Sequence, residues 1–463
     1  MKKRILIMIA GQGSLNYFIR SGIIYKLKTF SDPVICFLWK QDDLLEELRD
    51  AGFEVHVFPK FQPTPGFTRL RSTIDNWYFA RILKSKSIYI ERRHTSQSYT
   101  LRKKLSKKKE AFLEKINRII KPNFIKKNIE QEGHQIKLQP GYTDLKAWIS
   151  QLNFQAYLTA TPFLLTSEVV GRLCREAGLP IFAAICSFDN ITKRGWSAIY
   201  FDHYFVWNKY NKEELIRINP LSSDENISIT GAPQFDAHFN KKIQKDQMEW
   251  LKEMGLPIDK KIILYGGGPS KLFPHEPQYL LHLKEALESG EIRNSVVLFR
   301  SHPLDTLQRW KDKVGISKFI FYDNSPTGKD YYDYANVTNE DILKLVTTLQ
   351  FTDVHINLCS TMVIDGSIFN KPQIAPYYDA ENPRGQKHLR NLFFQEHYLP
   401  IVSSGVIQFA NCRNEFVNLI NKSLNNPAKF AKNSLNCVKD IITFTDGKSA
   451  ERVAIKLQIL LNL

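Results

Sequence analysis

Short apolar runs alternate with helical patterns along most of the chain, and this alternation constrains its fold more than any other feature. In the first 60 residues three apolar runs, at 4–10, 33–39 and 54–59, are separated by helical patterns at 14–30 and 42–52. Continuous apolar strands joined by helices favour a parallel sheet that is covered on both faces. The sequence therefore predicts an α/β fold of the nucleotide-binding type.

The alternation occurs twice, which predicts two Rossmann-like domains with parallel sheets. The N-terminal domain is predicted at residues 1–245, with further strands at 156–161, 180–187, 203–207 and 226–232. The C-terminal domain is predicted at 246–445, with strands at 261–265, 296–300, 318–322, 353–358 and, as the last one, 372–378. Residues 446–463 are predicted to form a C-terminal helix. A chain of 463 residues has room for two such domains.

Residues 60–140 interrupt the alternation and are predicted to form a helical, basic insertion in the N-terminal domain. The chain carries a net charge of +17, and the segment from Arg81 to Lys137 contains 17 Lys/Arg against 5 Asp/Glu. One interpretation is a solvated helical surface, and the other is a patch for an anionic partner. No helix-turn-helix, RNP or zinc-finger signature favours nucleic acid as that partner.

Within the insertion, residues 101–120 have the pattern of an amphipathic helix. Apolar residues recur at spacings of three, four and seven, at positions 105, 112, 116, 119 and 120. Six cations flank them: Arg102, Lys103, Lys104, Lys107, Lys108 and Lys109. Such a helix either packs on its own domain or binds an anionic membrane surface.

The cysteines and the apolar segments indicate the compartment. Six cysteines are scattered with no C-x-x-C pair, which is typical of reduced thiols in a cytosolic protein. The apolar stretch at residues 5–10 is shorter than the core of a signal peptide, and no apolar run reaches 18 residues. We therefore expect a cytoplasmic protein. The basic segment adds a second possibility, which is peripheral attachment to the inner face of the membrane.

The residues that follow strands of the second domain predict a ligand site, because ligands of open parallel sheets bind beyond the carboxyl ends of the strands. These positions carry Gly266, Gly267, Gly268, Arg300, His302, Pro303, Ser360, Thr361 and the stretch 377–379. Glycines permit close backbone approach, and a Ser-Thr pair at a helix start places free N–H groups near an anion. The set predicts a phosphate-bearing ligand, although each motif alone is also typical of a turn or a helix cap.

No metal and no cofactor is expected, because the sequence has no D-x-D pair, no H-E-x-x-H motif and no His/Cys cluster. The Gly-Lys pair within residues 325–329 is not a P-loop, since Asp330 stands where the closing Ser/Thr is required. An enzyme without a metal must stabilise a departing phosphate with protein groups alone. Arg300, His302, Ser360 and Thr361 are suited to that role.

Three segments of the second half resemble the donor domain of metal-independent GT-B glycosyltransferases: Arg300-Ser-His-Pro303, the stretch from Phe351 to Asp365, and Asn370-Lys-Pro-Gln-Ile374. The nearest similarity is to bacterial surface-polymer enzymes. In CDP-glycerol glycerophosphotransferases and in CMP-sialic-acid or Kdo transferases, an HP pair and a Ser/Thr pair hold the donor phosphate. The resemblance thus implies a donor site that includes Asp365. The "DYSS" of the glycerophosphotransferases reads Asn357-Leu-Cys-Ser-Thr361 here, which leaves both donor classes open.

The N-terminal domain is then expected to bind the acceptor. Gly13 and Ser14 follow the first strand, and Asp189 and Asn190 follow the strand predicted at 180–187. A carboxylate at this position suits a general base that takes a proton from an acceptor hydroxyl, with His302 as the second catalytic residue. The alternative for Asp189 is an Asx-turn that shapes the loop.

The sequence as a whole predicts a glycosyltransferase that moves a sugar from a nucleotide-activated donor to a glycan or lipid-linked acceptor in cell-surface polysaccharide synthesis. One alternative is a polyol-phosphate transferase that uses a CDP-activated donor. A sugar-nucleotide 2-epimerase has the same fold, but its paired-acid signature is not found. The alternative from another class is a non-catalytic protein that binds an anionic polymer.

Overall fold

The structure is a computed structural model that describes residues 2–78, 122–194, 197–219, 222–240, 246–323, 337–378, 380 and 385–463. The chain forms two compact units. The first comprises Met1–Gln234 with Lys448–Leu463, and the second comprises Phe235–Gly447. The amphipathic stretch at residues 101–120, the Gly-Lys pair near 329 and Asp379 lie outside the described residues.

The first unit contains a seven-stranded parallel sheet in the order β3-β2-β1-β4-β5-β6-β7. Its strands are β1 (Lys3–Ile9), β2 (Ser31–Phe37), β3 (Glu54–Val57), β4 (Ala156–Thr159), β5 (Ile181–Ala184), β6 (His203–Val206) and β7 (Ile227–Ile229). In the central strand, Ile7 pairs with Ile35 of β2 on one side and with Leu158 of β4 on the other. The predicted strands of this unit are confirmed.

Helices cover both faces of this sheet. They are α1 (Gln12–Leu15), a π-helix (Asn16–Arg20), α2 (Ile23–Lys28), α3 (Asp42–Asp50), α4 (Pro65–Tyr78), α5 (Pro122–Gln135), α6 (Tyr142–Gln151), α7 (Leu165–Glu176), α8 (Asn190–Arg194), α9 (Lys209–Ile218) and, from the second crossing of the chain, α20 (Ser449–Leu460). Alternate residues of β1 enter two different cores, Leu6 and Met8 on one face and Ile5 and Ile7 on the other. This is why β1 is apolar from Ile5 to Ile9. The single helix predicted at 14–30 is interrupted at Gly22, which has a positive φ of 80°.

The described ends of the insertion are helical and are joined to the unit by a buried ion-pair cluster. Arg71 of α4 contacts Glu168 of α7 at 2.6 Å and Glu132 of α5 at 3.1 Å, and Arg172 reaches Glu132 at 2.8 Å. Both glutamates are fully buried. Burial raises the pKa of Glu132, and the charges of Arg172 and Arg71 oppose that rise. Because buried carboxylates need such partners, the cluster holds α4 and α5 on the core.

The second unit contains a six-stranded parallel sheet in the order β10-β9-β8-β11-β12-β13. Its strands are β8 (Lys261–Gly266), β9 (Ser295–Arg300), β10 (Ile320–Asp323), β11 (Val354–Asn357), β12 (Gln373–Pro376) and β13 (Ile407–Ala410). Its helices are α10 (Gln247–Glu253), α11 (Pro277–Glu288), α12 (Leu307–Val314), α13 (Asn339–Phe351), α14 (Met362–Ile368), α15 (Gly385–Phe393), α16 (Leu399–Ser403), α17 (Arg413–Asn425), α18 (Pro427–Phe430) and α19 (Ser434–Ile442).

The prediction that the strand at 372–378 is the last one was wrong, because β13 follows it and pairs with β12. The strand has four residues, Ile407–Ala410, and the polar Gln408 interrupts its apolar pattern, so the sequence lacks a continuous apolar run at this position. The predicted fold class, two parallel-sheet α/β domains of the GT-B type, is confirmed.

Candidate active site

Three neighbouring strands of the second sheet end in register at one edge. Gly266, at the end of β8, pairs with Arg300 at the end of β9 and with Asn357 at the end of β11. β8 is the strand at which the order of the sheet reverses, and ligands of such sheets bind beyond the carboxyl ends at this point. The loops that begin at Gly266, Ser301 and Leu358 are therefore brought together at this edge, as the sequence predicted.

Gly266, the last residue of β8, and the two glycines that follow it are required by close packing. A Cβ atom would lie 2.6 Å from the Met362 sulfur at Gly266, 2.9 Å from the Trp310 ring at Gly267 and 2.4 Å from the Phe273 ring at Gly268. The amide of Gly267 donates to the Arg300 carbonyl at 2.9 Å. The loop is thus pressed against its neighbours, and its contact with a donor stays a prediction.

His302 lies in a turn that fixes the tautomer of its ring. The Asp305 amide donates to the His302 carbonyl at 2.8 Å, which closes a four-residue turn with Pro303 at its second position, where a fixed φ is favourable. The Leu304 amide donates to Nδ1 of His302 at 3.1 Å. Burial lowers the pKa of His302 below its usual 6.5, against a smaller opposing effect of Asp305. The ring is therefore neutral at pH 7, with its proton on Nε2, where it can be donated to a ligand.

Arg300 is engaged by a buried carboxylate of the next strand. Its Nη1 lies 2.5 Å from Oδ2 of Asp323, at the end of β10. Lys344 of α13 reaches the other oxygen of Asp323 at 2.7 Å. The positive charge of Arg300 is thus balanced by Asp323 at this edge of the sheet. A direct hydrogen bond from Arg300 to the nucleotide-activated donor stays a prediction.

Ser360 and Thr361 precede a helix, as predicted, because α14 begins at Met362. The Ser360 hydroxyl accepts a hydrogen bond from the Met362 amide at 3.2 Å. The Ser360 carbonyl accepts one from the Tyr398 hydroxyl at 3.1 Å. Cys359, just before the pair, has a positive φ of 45°, which is uncommon for a residue with a side chain and recurs at functional loops. Thr361 is exposed at this turn, where it is accessible to a ligand.

Asp365, one turn into α14, pairs with a histidine from the start of the unit. Its Oδ1 lies 2.8 Å from Nε2 of His238, whose ring stacks on Phe369. Both side chains are nearly buried. The Asp365 amide donates to the Thr361 carbonyl at 3.4 Å, and the carboxylate joins the first residues of the unit to α14, so its role in donor binding stays a prediction.

In the first unit, the loops after β1 and β5 meet at Cys186. A Cβ atom on Gly13 would lie 3.0 Å from the Cys186 sulfur, and the Asn190 side-chain amide donates to the same sulfur at 3.2 Å. Two of the predicted acceptor residues are therefore neighbours. The third, Ser14, is fully buried, and its hydroxyl bridges the Ala10 amide and the Gly11 carbonyl within the loop.

Asp189 lies in the same loop, directly before α8. Its Oδ1 accepts the Ser187 hydroxyl at 2.5 Å, and its Oδ2 pairs with Nζ of Lys193 at 3.0 Å. The side chain is about one quarter exposed, at 23%. The carboxylate is thus held in one orientation while remaining accessible, which both a general base and a loop-shaping residue require.

Two residues of the second site were not foreseen from the sequence. Asp305 is buried and accepts from Nε of Arg309 at 2.8 Å and from Nε1 of Trp310 at 2.8 Å. Arg309 also donates to the Phe273 and Pro274 carbonyls of the loop after β8. The only available signal was the i,i+4 spacing of Asp305 and Arg309 directly after the His-Pro pair.

Within the described ranges, no group of three or more His, Cys, Asp or Glu side chains is placed to hold a metal ion. Over the same ranges, none of the helices combines the length and the apolar character needed to cross a membrane.

Solved structures with the same fold extend over the whole chain. A structure of MnaA from S. aureus with UDP has a TM-score of 0.57 at 12% identity and covers 100% of this chain and 98% of its own. A putative UDP-N-acetylglucosamine 2-epimerase from Listeria monocytogenes has a TM-score of 0.59 at 10% identity, with coverages of 100% and 97%. A glycosyltransferase from Rickettsia africae has a TM-score of 0.53 at 10% identity, with coverages of 99%. At these identities the similarity shows the fold alone.

Sequence comparison identifies the family. No curated protein sequence matches the chain. The family model for CDP-glycerol:poly(glycerophosphate) glycerophosphotransferases matches residues 190–458, which include the whole second unit and, in the first unit, helix α8 that begins at Asn190. Because this match extends over more than half of its 463 residues, the protein belongs to the CDP-glycerol:poly(glycerophosphate) glycerophosphotransferase family, in agreement with the resemblance of its His-Pro and Ser-Thr motifs.

Proposed function

We propose that the protein transfers a sugar from a nucleotide-activated donor to a hydroxyl of a glycan or lipid-linked acceptor in cell-surface polysaccharide synthesis. The observation that supports this proposal best is the turn that presents the neutral His302 ring at the carboxyl end of β9. Its Nε2–H is suited to the phosphate oxygen on which negative charge develops as the donor bond breaks. The exposed Thr361 hydroxyl is a second hydrogen-bond donor suited to the same anion.

Acceptor activation is assigned in this proposal to the first unit, with Asp189 as the general base. The carboxylate would take the proton of the acceptor hydroxyl as that oxygen attacks the donor. Support comes from its orientation by Ser187 and Lys193 and from its partial exposure. Gly13 and Asn190 both contact Cys186 in the loops after β1 and β5. In this proposal they bind the acceptor beside Asp189.

The second candidate is transfer of glycerol phosphate from a CDP-activated donor, which the family match favours. In that reaction the acceptor oxygen attacks phosphorus and CMP leaves, whereas transfer of a sugar from a nucleoside diphosphate sugar releases the diphosphate. The same hydrogen-bond donors at His302 and Thr361 serve both leaving groups. Because a CMP-activated sugar also releases CMP, the group found on the product, together with the released nucleotide, separates the two candidates.

Nucleotide binding followed by donor turnover tests these candidates. We expect one of UDP, GDP, CMP and CDP to raise the melting temperature in a thermal-shift screen, since a ligand that binds the native state stabilises it. The corresponding activated donor should then release its nucleotide when a glycan or lipid-linked acceptor is added. Release of CMP from CDP-glycerol, with glycerol phosphate on the product, would select the second candidate. Nucleotide binding without turnover of any donor would exclude both.

The basic segment supplies a separate expectation about location. We propose that residues 81–137 hold the enzyme at an anionic membrane surface, where a lipid-linked acceptor resides. Each Lys or Arg near such a surface contributes on the order of 1 kcal/mol, screened by salt. We expect salt-sensitive binding to anionic but not to neutral vesicles in a co-sedimentation assay. Binding should disappear when six cations become Ser: Arg102, Lys103, Lys104, Lys107, Lys108 and Lys109.

A control variant with the same loss of charge tests whether position matters. It replaces six exposed lysines of the second unit with Ser: Lys313, Lys318, Lys422, Lys429, Lys432 and Lys439. This control should still bind anionic vesicles. Equal binding of the parent protein to both vesicle types, or binding to neither, would identify the segment as an ordinary solvated surface.

A further inference from the structure

A buried carboxylate lies beneath the glycine loop at the second site. Glu276 directly precedes α11 and is only 1% exposed. Its Oε2 accepts the amide of Gly268 at 2.8 Å. A Cβ atom on Gly268 would lie 3.1 Å from that oxygen, so the loop and the carboxyl group are in close contact.

Arg309 holds the same glycine through its carbonyl. Its Nη2 donates to the Gly268 carbonyl at 3.4 Å, while its Nη2 and Nε contact the carboxylate of Asp305 at 2.6–2.8 Å. Asp305 also closes the turn that carries His302. The loop after β8 and the turn after β9 are therefore joined through Arg309, and Glu276 binds the amide of the glycine whose carbonyl Arg309 holds.

We propose that Glu276 is a positioning residue of the donor site: its neutral form holds the Gly268 amide, and its ionisation places a negative charge beneath the loop that weakens binding of the donor phosphates. This inference rests on the proposed binding of a nucleotide-activated donor at this edge of the sheet. It adds a pH dependence that neither the fold nor the family implies.

The surroundings of Glu276 keep it protonated at pH 7. Burial raises the pKa of Glu276 to about 8, the Gly268 amide and the Arg309 charge oppose the rise, and Asp305 adds to it. The Tyr265 hydroxyl also faces the carboxyl group, and its own pKa is raised well above 10 by burial. It therefore stays neutral over the range in which Glu276 ionises.

Two partly buried histidines near these loops, His302 and His388, do not titrate in that range either. Burial lowers the pKa of His302 and of His388, whose ring contacts the Leu272 carbonyl, below the usual 6.5. Both rings are thus neutral above pH 7. Of the groups named here, Glu276 is the one that changes its charge near pH 8. A change in donor affinity near that pH is therefore assigned to Glu276.

The test compares CDP binding to the parent protein and to Glu276→Gln by isothermal titration at pH 7 and pH 9. CDP is suitable because neither its base nor its phosphates change charge appreciably over this interval. We expect the parent to bind CDP about tenfold more weakly at pH 9, since a charge within several ångströms has an effect of that order. E276Q, whose amide oxygen still accepts from Gly268, should bind CDP equally at both pH values. Glu276→Ala leaves that amide unpaired and should bind more weakly at both.

A stability measurement without nucleotide provides the second readout. A carboxyl group protonated in the native state and ionised in the unfolded state lowers stability as pH rises from its unfolded pKa towards its folded pKa. The parent should therefore lose melting temperature relative to E276Q between pH 5 and pH 8, and no further above that. Parallel melting curves in the two proteins, or a parent affinity for CDP that does not change with pH, would overturn the role of Glu276. Absence of CDP binding in all three proteins, with the stability difference present, would instead count against the proposed donor site.

Discussion

The change His302→Ala is expected to lower the turnover of the donor by about a hundredfold or more, the usual cost of removing one hydrogen-bond donor from a developing charge. The neutral ring, with Nδ1 occupied by the Leu304 amide, offers Nε2–H in one fixed direction. Steady-state kinetics on the donor identified by the thermal-shift screen measure the effect. Because the interaction strengthens as the leaving phosphate gains charge, kcat should fall more than the affinity for the nucleotide.

Two variants separate this role from a structural one. His302→Gln retains an N–H at a similar reach and should recover part of the activity that the alanine variant loses. His56→Ala removes a histidine of the first unit, which pairs with Glu54 in β3, and should leave turnover unchanged. Full activity of His302→Ala, with normal folding by circular dichroism, would remove His302 from the donor site.

The pH profile of the parent gives an independent check of the same residue. Because the pKa of His302 is lowered by burial, the donating neutral ring persists below pH 6.5. At a saturating donor concentration, at which weaker donor binding caused by ionised Glu276 does not limit the rate, turnover should decline only when the pH falls below that value. A loss of kcat as the pH rises through 6.5 would show that the charged ring, not the neutral one, acts on the donor.

The change Asp189→Asn is expected to lower kcat by about a hundredfold or more while nucleotide binding stays nearly constant, since general acid–base catalysis contributes effects of this size. Asparagine preserves the size of the side chain and can still accept the Ser187 hydroxyl. It cannot accept a proton from the acceptor. Initial rates with saturating acceptor, together with a nucleotide titration, measure the two quantities separately.

The ion pair with Lys193 requires its own control, because Asp189→Asn also removes it. Lys193→Met abolishes the pair but leaves the carboxylate in place. If Asp189 is the base, the lysine variant should keep most of its turnover. Equal losses in both variants, accompanied by equal losses of melting temperature, would show that the residue shapes the loop and that another group takes the proton.

Local sequence was sufficient for the strands and for the edge at which the candidate site lies. Residues 5–9 are apolar at every position, and only a strand covered on both faces buries all of them. In a parallel sheet every residue that follows a strand reaches the same edge, so Gly266, Arg300 and Ser360 could be grouped without coordinates. The positive φ of Gly52, at the end of the helix predicted at 42–52, is likewise a local property of the backbone, whereas the interruption at Gly22 was not predicted.

What the sequence by itself determined is therefore the α/β class, the two parallel sheets and the candidate motifs, because these depend on hydrophobic periodicity and turn chemistry within a few residues. The tertiary structure alone decided the partners of the polar groups: Arg300 with Asp323, Asp365 with His238, and the Gly268 amide with Glu276. It also placed the C-terminal helix α20 on the first sheet, where Val453 and Leu457 join the core. A charged or polar side chain can be satisfied by many partners of equal chemistry, and which one it meets depends on contacts between segments far apart in the chain. The partner of each polar group is determined by how the helices pack on both sheets. The hydrophobic periodicity of one segment does not predict that partner.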